Sequence, residues 1–331
     1  MQVHMKRKKY VKRVLAALLI VILSFSVISM IATMIFFRTA FPRSDTLPEF
    51  SYSYAQMAEE GYPCQQIEFP SGANRLTGYY YAPDAPQALV VIASGFGDSG
   101  AAHLAEMKTF VDSGYGVLCY DATGVGESEG VGKVGLTQPA IDLRSALDCI
   151  AEDDRFSSLP ILLYGHSAGG YAAATCVDAP RVKAAVIISA FDDPVQLMRE
   201  SARDYVGILA DIEYPFLWMG NRLTFGADEP SASACIEDAS VPVAVFEGAD
   251  DDHVPPSLRL SHTLNIIDNG SVTLTVCDEA PHSGHSGIWL SDAAISYRKT
   301  HDDAAAPDPA AANALDPEFM SMVLSHYQKA L

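Results

Sequence analysis

The chain opens on an unbroken apolar run. From residue 15 to residue 37 the only polar side chains are Ser and Thr, and at 1.5 Å per residue a helix of that length crosses a hydrocarbon core of about 30 Å. After a Pro-containing link at 42–48 the pattern shortens. Runs at 67–69 and 77–81 flank the turn-like Pro70-Ser71-Gly72-Ala73-Asn74 and predict a hairpin. Further apolar runs at 88–93, 117–121, 161–164, 184–189, 243–247 and 272–277 alternate with helical patterns, which predicts a parallel sheet. These runs are continuously apolar, as in a sheet with helices on both faces. The rhythm breaks at about 192–230, where Leu197, Met198, Tyr205, Val206, Leu209, Tyr214, Phe216, Leu217, Trp218 and Met219 predict a helical insertion forming a lid. Residues 301–313, rich in Ala, Asp and Pro, read as a linker before a last helix capped by Asp316 with Pro317 in its first turn. The organisation expected is a basic segment at 1–14, an apolar helix at 15–37, a link at 38–60, an α/β domain at 61–300 and a linker with a final helix at 301–331.

Charge changes this picture in two places. Lys6, Arg7, Lys8, Lys9, Lys12 and Arg13 precede the first acidic residue, Asp45, and only Arg38 and Arg43 follow the apolar run closely. Basic residues stay on the cytoplasmic side, so the expected topology is a single-pass anchor in the cell membrane with a cytoplasmic N-terminus and an extracytoplasmic body. The competing reading is a cleaved secretory signal, but such apolar regions run about 7–15 residues and end at a small-x-small site. This one is longer and ends in Met34-Ile35-Phe36-Phe37. Past residue 37 the chain carries 16 basic residues against 41 acidic ones, a balance of −25. That excludes nucleic acid as a partner, because phosphates require basic surface. The six cysteines, at 64, 119, 149, 176, 235 and 277, have no metal-like spacing. No metal site is expected, and Cys119 and Cys277 in predicted strands and Cys149 and Cys176 in predicted helices read as buried thiols.

The candidate chemistry lies in Gly165-His166-Ser167-Ala168-Gly169. A serine hydroxyl is a poor nucleophile until a base takes its proton, and the G-x-S-x-G pattern marks a sharp strand-to-helix turn that projects such a serine. The predicted strand at 161–164 leads in and a helical pattern at 168–177 leads out, which is the context the motif requires. Gly124, Gly126 and Ser128 do not complete a G-x-G-x-x-G nucleotide loop, because position 129 is Glu. For a base, His282 and His285 both follow the last predicted strand. For an acid, Asp250, Asp251 and Asp252 compete after the run at 243–247, with Asp192 and Asp193 as weaker alternatives.

Three further stations join the elbow in order: Ser94-Gly95-Phe96-Gly97, the segment from Asp121 to Ser128, and Gly248-Ala249-Asp250-Asp251-Asp252-His253-Val254-Pro255. With them the chain resembles the α/β-hydrolase superfamily, in its lysophospholipase and serine aminopeptidase-like branch, over most of 67–299. The resemblance implies the α/β-hydrolase fold, a mostly parallel sheet with a helical lid. It implies Ser167 as nucleophile and selects Asp251 as acid and His285 as base, with His282 the alternate. It also implies an oxyanion hole from the backbone N–H groups of Phe96 and Ala168, although Ser94 stands where the family usually has His. No cofactor is implied. The function expected is hydrolysis of a small-molecule or lipid ester, with acylglycerol esters among the candidates, through an acyl-enzyme. A serine aminopeptidase is the second reading and a catalytically silent binding scaffold the third.

Overall fold

The computed structural model describes residues 2–226, 230–264, 270–301 and 307–331. Eight strands form one sheet: β1 (Gln65–Ser71), β2 (Asn74–Tyr81), β3 (Leu89–Ala93), β4 (Gly116–Tyr120), β5 (Ile161–His166), β6 (Val182–Ile188), β7 (Val243–Gly248) and β8 (Val272–Cys277). Their order is β1-β2-β4-β3-β5-β6-β7-β8. The first hairpin is antiparallel and β2 meets β4 antiparallel; every later pairing is parallel. Each expected strand is present, with ends moved by a few residues; Ser189, for example, takes a positive φ of 48° just beyond β6.

The continuous apolar runs follow from the strand's two-residue period, which sends neighbours to opposite faces. Val91, Leu163, Ala185 and Val245 point to one face, where the helices Gln138–Glu152 and Ala168–Thr175 cover them. Val90, Leu162, Val186 and Ala244 point to the other, under the helices Leu104–Asp112, Asp292–Thr300 and Pro317–Ala330. The final helix is capped by Asp316, as its sequence predicts, and is tied to the sheet by Tyr327, whose hydroxyl donates to the Leu163 carbonyl at 2.7 Å. β8 departs from the expected double burial: it lies at the sheet edge, and several of its residues meet solvent.

Strand order reverses at β3, whose neighbours are β4 on one side and β5 on the other. In open α/β sheets the crevice beyond the carboxyl ends of strands at such a point is where ligands bind. Here it is bordered by the loop after β3 and the turn after β5.

The apolar N-terminal run lies in one helix, Gln2–Thr39, longer than the 23-residue run that predicts it. Over 18 of its residues the mean hydropathy is 2.9, and only 6% of that window is buried. The expected insertion is a pair of helices, Pro194–Val206 and Leu209–Phe225; residues 227–229 of the expected lid lie outside the described residues. Phe37 joins Val195, Met198 and Leu217 in a small core at the root of this pair. The link that follows is pinned to the body. Pro42 bridges to Gly132 and Ser44 to Val125, while Arg43 donates to the carbonyls of Ser128 at 2.6 Å and of Gly126.

Candidate active site

Ser167 sits between β5 and the helix Ala168–Thr175 with φ 55° and ψ −118°. A non-glycine residue is strained there, and the turn is held by what surrounds it. The chain must double back on itself, so the flanking glycines allow close backbone approach. A Cβ on Gly169 would lie 2.0 Å from the Ala93 carbonyl oxygen, and one on Gly165 would lie 2.2 Å from that of Gly169. The Ser167 N–H donates to the Ile188 carbonyl at 2.8 Å, which ties the turn to β6.

The Ser167 Oγ lies 3.0 Å from His285 Nε2, and His285 Nδ1 lies 2.7 Å from Asp251 Oδ2. An ionised carboxylate only accepts, so Nδ1 carries the proton and Nε2 is free to accept from the serine hydroxyl. The other carboxylate oxygen, Asp251 Oδ1, accepts from the backbone N–H of His253 and of Val254, both at 2.9 Å. Burial alone would raise the Asp251 pKa. The hydrogen bond and charge of His285 and the two backbone donors outweigh it and hold the carboxyl below its ordinary value.

Of the other expected candidates, His282 is not brought to Ser167. Its Nε2 faces Asp292 Oδ1 at 2.9 Å and its Nδ1 faces the Gly287 carbonyl at 3.1 Å. Asp192 is used elsewhere, accepting from the Ser233 N–H at 2.8 Å, and Asp193 caps the first lid helix. Phe96 and Ala168 stand at the carboxyl ends of β3 and β5. Ala168 opens its helix, where leading N–H groups have no intrahelical acceptor. Phe96 lies in a turn closed by the Asp98 N–H donating to the Gly95 carbonyl at 3.1 Å. Asp121, at the head of the 121–128 station, accepts from the N–H groups of Gly100 and Glu127 at 2.8 and 3.0 Å and so fixes two loops beside the site.

Several supports carry no local sequence signal. Arg259 donates to the carbonyls of Ala249 at 2.6 Å, Val254 at 3.0 Å and Asp251, clamping the loop that holds Asp251. His253 is exposed but stacks on the His285 ring at 4.5 Å. His166 is buried with Nε2 3.2 Å from the His285 carbonyl and its ring against Trp289. Burial, with the nearby His285 and His103, pushes its pKa well below the ordinary histidine value, so it stays neutral and donates to that carbonyl. Asp251, His253 and His285 bring ligand atoms within 4.8 Å of one another, a donor set of the kind that holds a cation. Each is already engaged, since Asp251 faces His285 and His253 Nδ1 faces Asp252 at 2.9 Å. The six cysteines form no disulfide; Cys119 and Cys176 are buried as expected, whereas Cys149 and Cys277 are only partly buried, Cys277 because its strand lies at the sheet edge.

The sheet order, the strained serine turn and the helical lid make up the α/β-hydrolase fold. Residues 84–217 match the family model for the serine aminopeptidase S33 group, about two fifths of the chain. Among solved structures it is similar to the esterase Pf2001 of Pyrococcus furiosus, at 16% identity and a TM-score of 0.59, covering 87% of this chain and 99% of that one. It is also similar to DcsB in complex with its substrate analogue, at 18% identity and a TM-score of 0.54, covering 81% and 99% of the two chains. An acylaminoacyl peptidase bound to Z-Gly-Gly-Phe-chloromethyl ketone matches at 13% identity and a TM-score of 0.53, over 85% of this chain and 44% of that one. A search of curated proteins gives no match.

Proposed function

We propose that the protein is a membrane-anchored serine hydrolase that cleaves carboxylic esters, lipid or acylglycerol esters among them, with Ser167 as nucleophile. The observation that carries this reading is the chain of contacts from Ser167 Oγ to His285 at 3.0 Å and from His285 to Asp251 at 2.7 Å. His285 takes the hydroxyl proton as Oγ attacks the ester carbonyl. Asp251 holds the imidazole in the required tautomer and stabilises the imidazolium. The N–H groups of Phe96 and Ala168 receive the oxyanion. Collapse expels the alcohol, which takes the proton from His285 and leaves an acyl group on Ser167. Water, deprotonated by the same imidazole, then attacks the acyl-enzyme and releases the acid.

An apolar acyl group is favoured by the walls near Phe96. Its ring meets Phe41 edge-on at 5.5 Å, and Phe41 belongs to the cluster that includes Phe37 and Phe225. An uncleaved anchor with an extracytoplasmic body is favoured over a removable signal, because Ser29, Thr33 and Phe37 are buried. Cleavage after the apolar run would strip Phe37 from the root of the lid.

A second reading, a serine aminopeptidase, is favoured by the family-model match over 84–217. Full-length protein in detergent, assayed on p-nitrophenyl esters of rising chain length and on aminoacyl anilides, separates the two. The ester reading predicts turnover of the esters, increasing from acetate toward longer chains, and little on the anilides. Faster turnover of anilides bearing a free amine would replace it with the peptidase reading.

A further inference from the structure

At 1.5 Å per residue the helix Gln2–Thr39 is about 57 Å long, nearly twice the thickness of a hydrocarbon core of about 30 Å. Part of it must therefore stand outside the bilayer. The side chains from Tyr10 to Ile28 are mostly exposed, but from Ser29 onward one stripe, Ser29, Thr33 and Phe37, is covered. A spacing of four residues is one face of a helix. The second lid helix, Leu209–Phe225, covers it: Ser29 Oγ donates to Glu213 at 2.8 Å, a Cβ on Gly220 would lie 2.5 Å from Thr33, and Phe225 meets Phe37 at 6.3 Å. Residue numbers rise together along the two helices, so they run parallel. The turn between the lid helices thus lies at the end nearer the basic segment, and Phe216 already meets Phe25 at 5.9 Å.

About 20 residues span the hydrocarbon. Even if the span is drawn as far into the basic cluster as Tyr10, it reaches Ser29. A hairpin turn level with Phe25 or beyond is then below the outer edge of the hydrocarbon. Its chemistry suits that place. Tyr205, Ile208, Leu209 and Ile212 are exposed around the turn. The nearby charges largely face one another: Arg203 pairs with Glu200 at 3.1 Å and with Asp211 at 2.6 Å, bridging the two helices. Ionic residues that enter a membrane pair in this way. Asp204, exposed one turn above, limits insertion to the headgroup–acyl boundary.

The geometry points to a second membrane-contacting element: the lid hairpin inserts its tip into the outer leaflet beside the anchor helix and delivers lipid esters from that leaflet to Ser167. The inference rests on the reading of the N-terminal helix as a membrane anchor and deepens that of the substrate. At the other end of the hairpin Phe225 meets Phe37, which lies beside Phe41, and Phe41 meets Phe96 in the loop after β3. Apolar side chains therefore continue from the leaflet to the site.

The test uses full-length Ile208→Trp protein in vesicles made with ordinary or acyl-brominated phosphatidylcholine. Flotation with the vesicles establishes the anchor. The emission added by the new tryptophan, relative to the parent protein, is expected to fall by half or more in brominated lipid and to resist aqueous iodide. A companion variant, Ile208→Ser with Leu209→Ser, is expected to lower the ratio of vesicle-embedded to water-soluble ester hydrolysis tenfold or more. Failure to float overturns the anchor and the inference together. Flotation with emission quenched by iodide and not by bromine overturns the hairpin alone. An unchanged ratio overturns delivery from the leaflet.

Discussion

Ser167→Ala is expected to lower kcat on p-nitrophenyl esters by about a millionfold, the loss typical of removing the nucleophile from a triad that acts as a unit. Only Oγ is removed, and its contact in the site is His285 Nε2 at 3.0 Å. The turn is held by the backbone, through the Ser167 N–H to Ile188 and the close approach of Gly169 to Ala93, and neither involves Oγ. Alanine at φ 55° is strained as serine is, so the thermal midpoint should stay close to that of the parent protein. Loss of turnover with the fold kept would separate chemistry from structure. A variant that retained a tenth of the parent kcat would remove Ser167 from the mechanism.

Asp251→Asn carries the second large effect, and the local donors fix its sign. The backbone N–H groups of His253 and Val254 point at Oδ1, so the asparagine amide must place its carbonyl oxygen there. Its NH2 then faces His285 Nδ1, which can only accept. The imidazole is driven to the tautomer with its proton on Nε2, where it cannot take the proton of Ser167. A loss of about 10⁴ in kcat is expected from a wrong tautomer of this kind. KM should move far less, because Asp251 is buried behind the ring. The split between kcat and KM, measured at saturating ester, checks this; a rise in KM with kcat kept would make Asp251 a substrate contact.

The sheet was legible because it is built from runs such as Leu89–Ala93 and Ile161–His166, where every residue is buried and the local sequence alone signals a strand. Ser167 was legible for a related reason: a turn this tight demands glycine on either side, and glycine at 165 and 169 is written in the sequence. The two side chains that line up behind Ser167 were harder. Asp250, Asp251 and Asp252 are adjacent and chemically alike, and only the fold decides which carboxylate turns inward, where Val254 and His253 supply N–H donors. His282 and His285 differ by three residues, yet one faces Asp292 and the other Ser167.

What was not legible depends on contacts far along the chain. Arg259 clamps a loop five to ten residues away, with no pattern to announce it. The stripe of Ser29, Thr33 and Phe37 did leave a signal, two hydroxyls and an aromatic at four-residue spacing, but in an apolar run it is masked by the hydropathy around it. Its partner, Gly220, is nearly two hundred residues away. The N-terminal helix is therefore built into the lid through a surface that composition alone does not separate from a lipid-facing one.

The central claim, that Ser167 is a nucleophile activated by His285 and Asp251, is tested most directly by covalent labelling. A fluorophosphonate reacts with a serine whose hydroxyl is deprotonated by a neighbouring base. Full-length protein in detergent, treated with the probe and digested for mass spectrometry, should carry one adduct, on Ser167. The adduct should be absent in Ser167→Ala and form far more slowly in Asp251→Asn. A folded protein that takes no label, or takes it on another serine, would contradict the account.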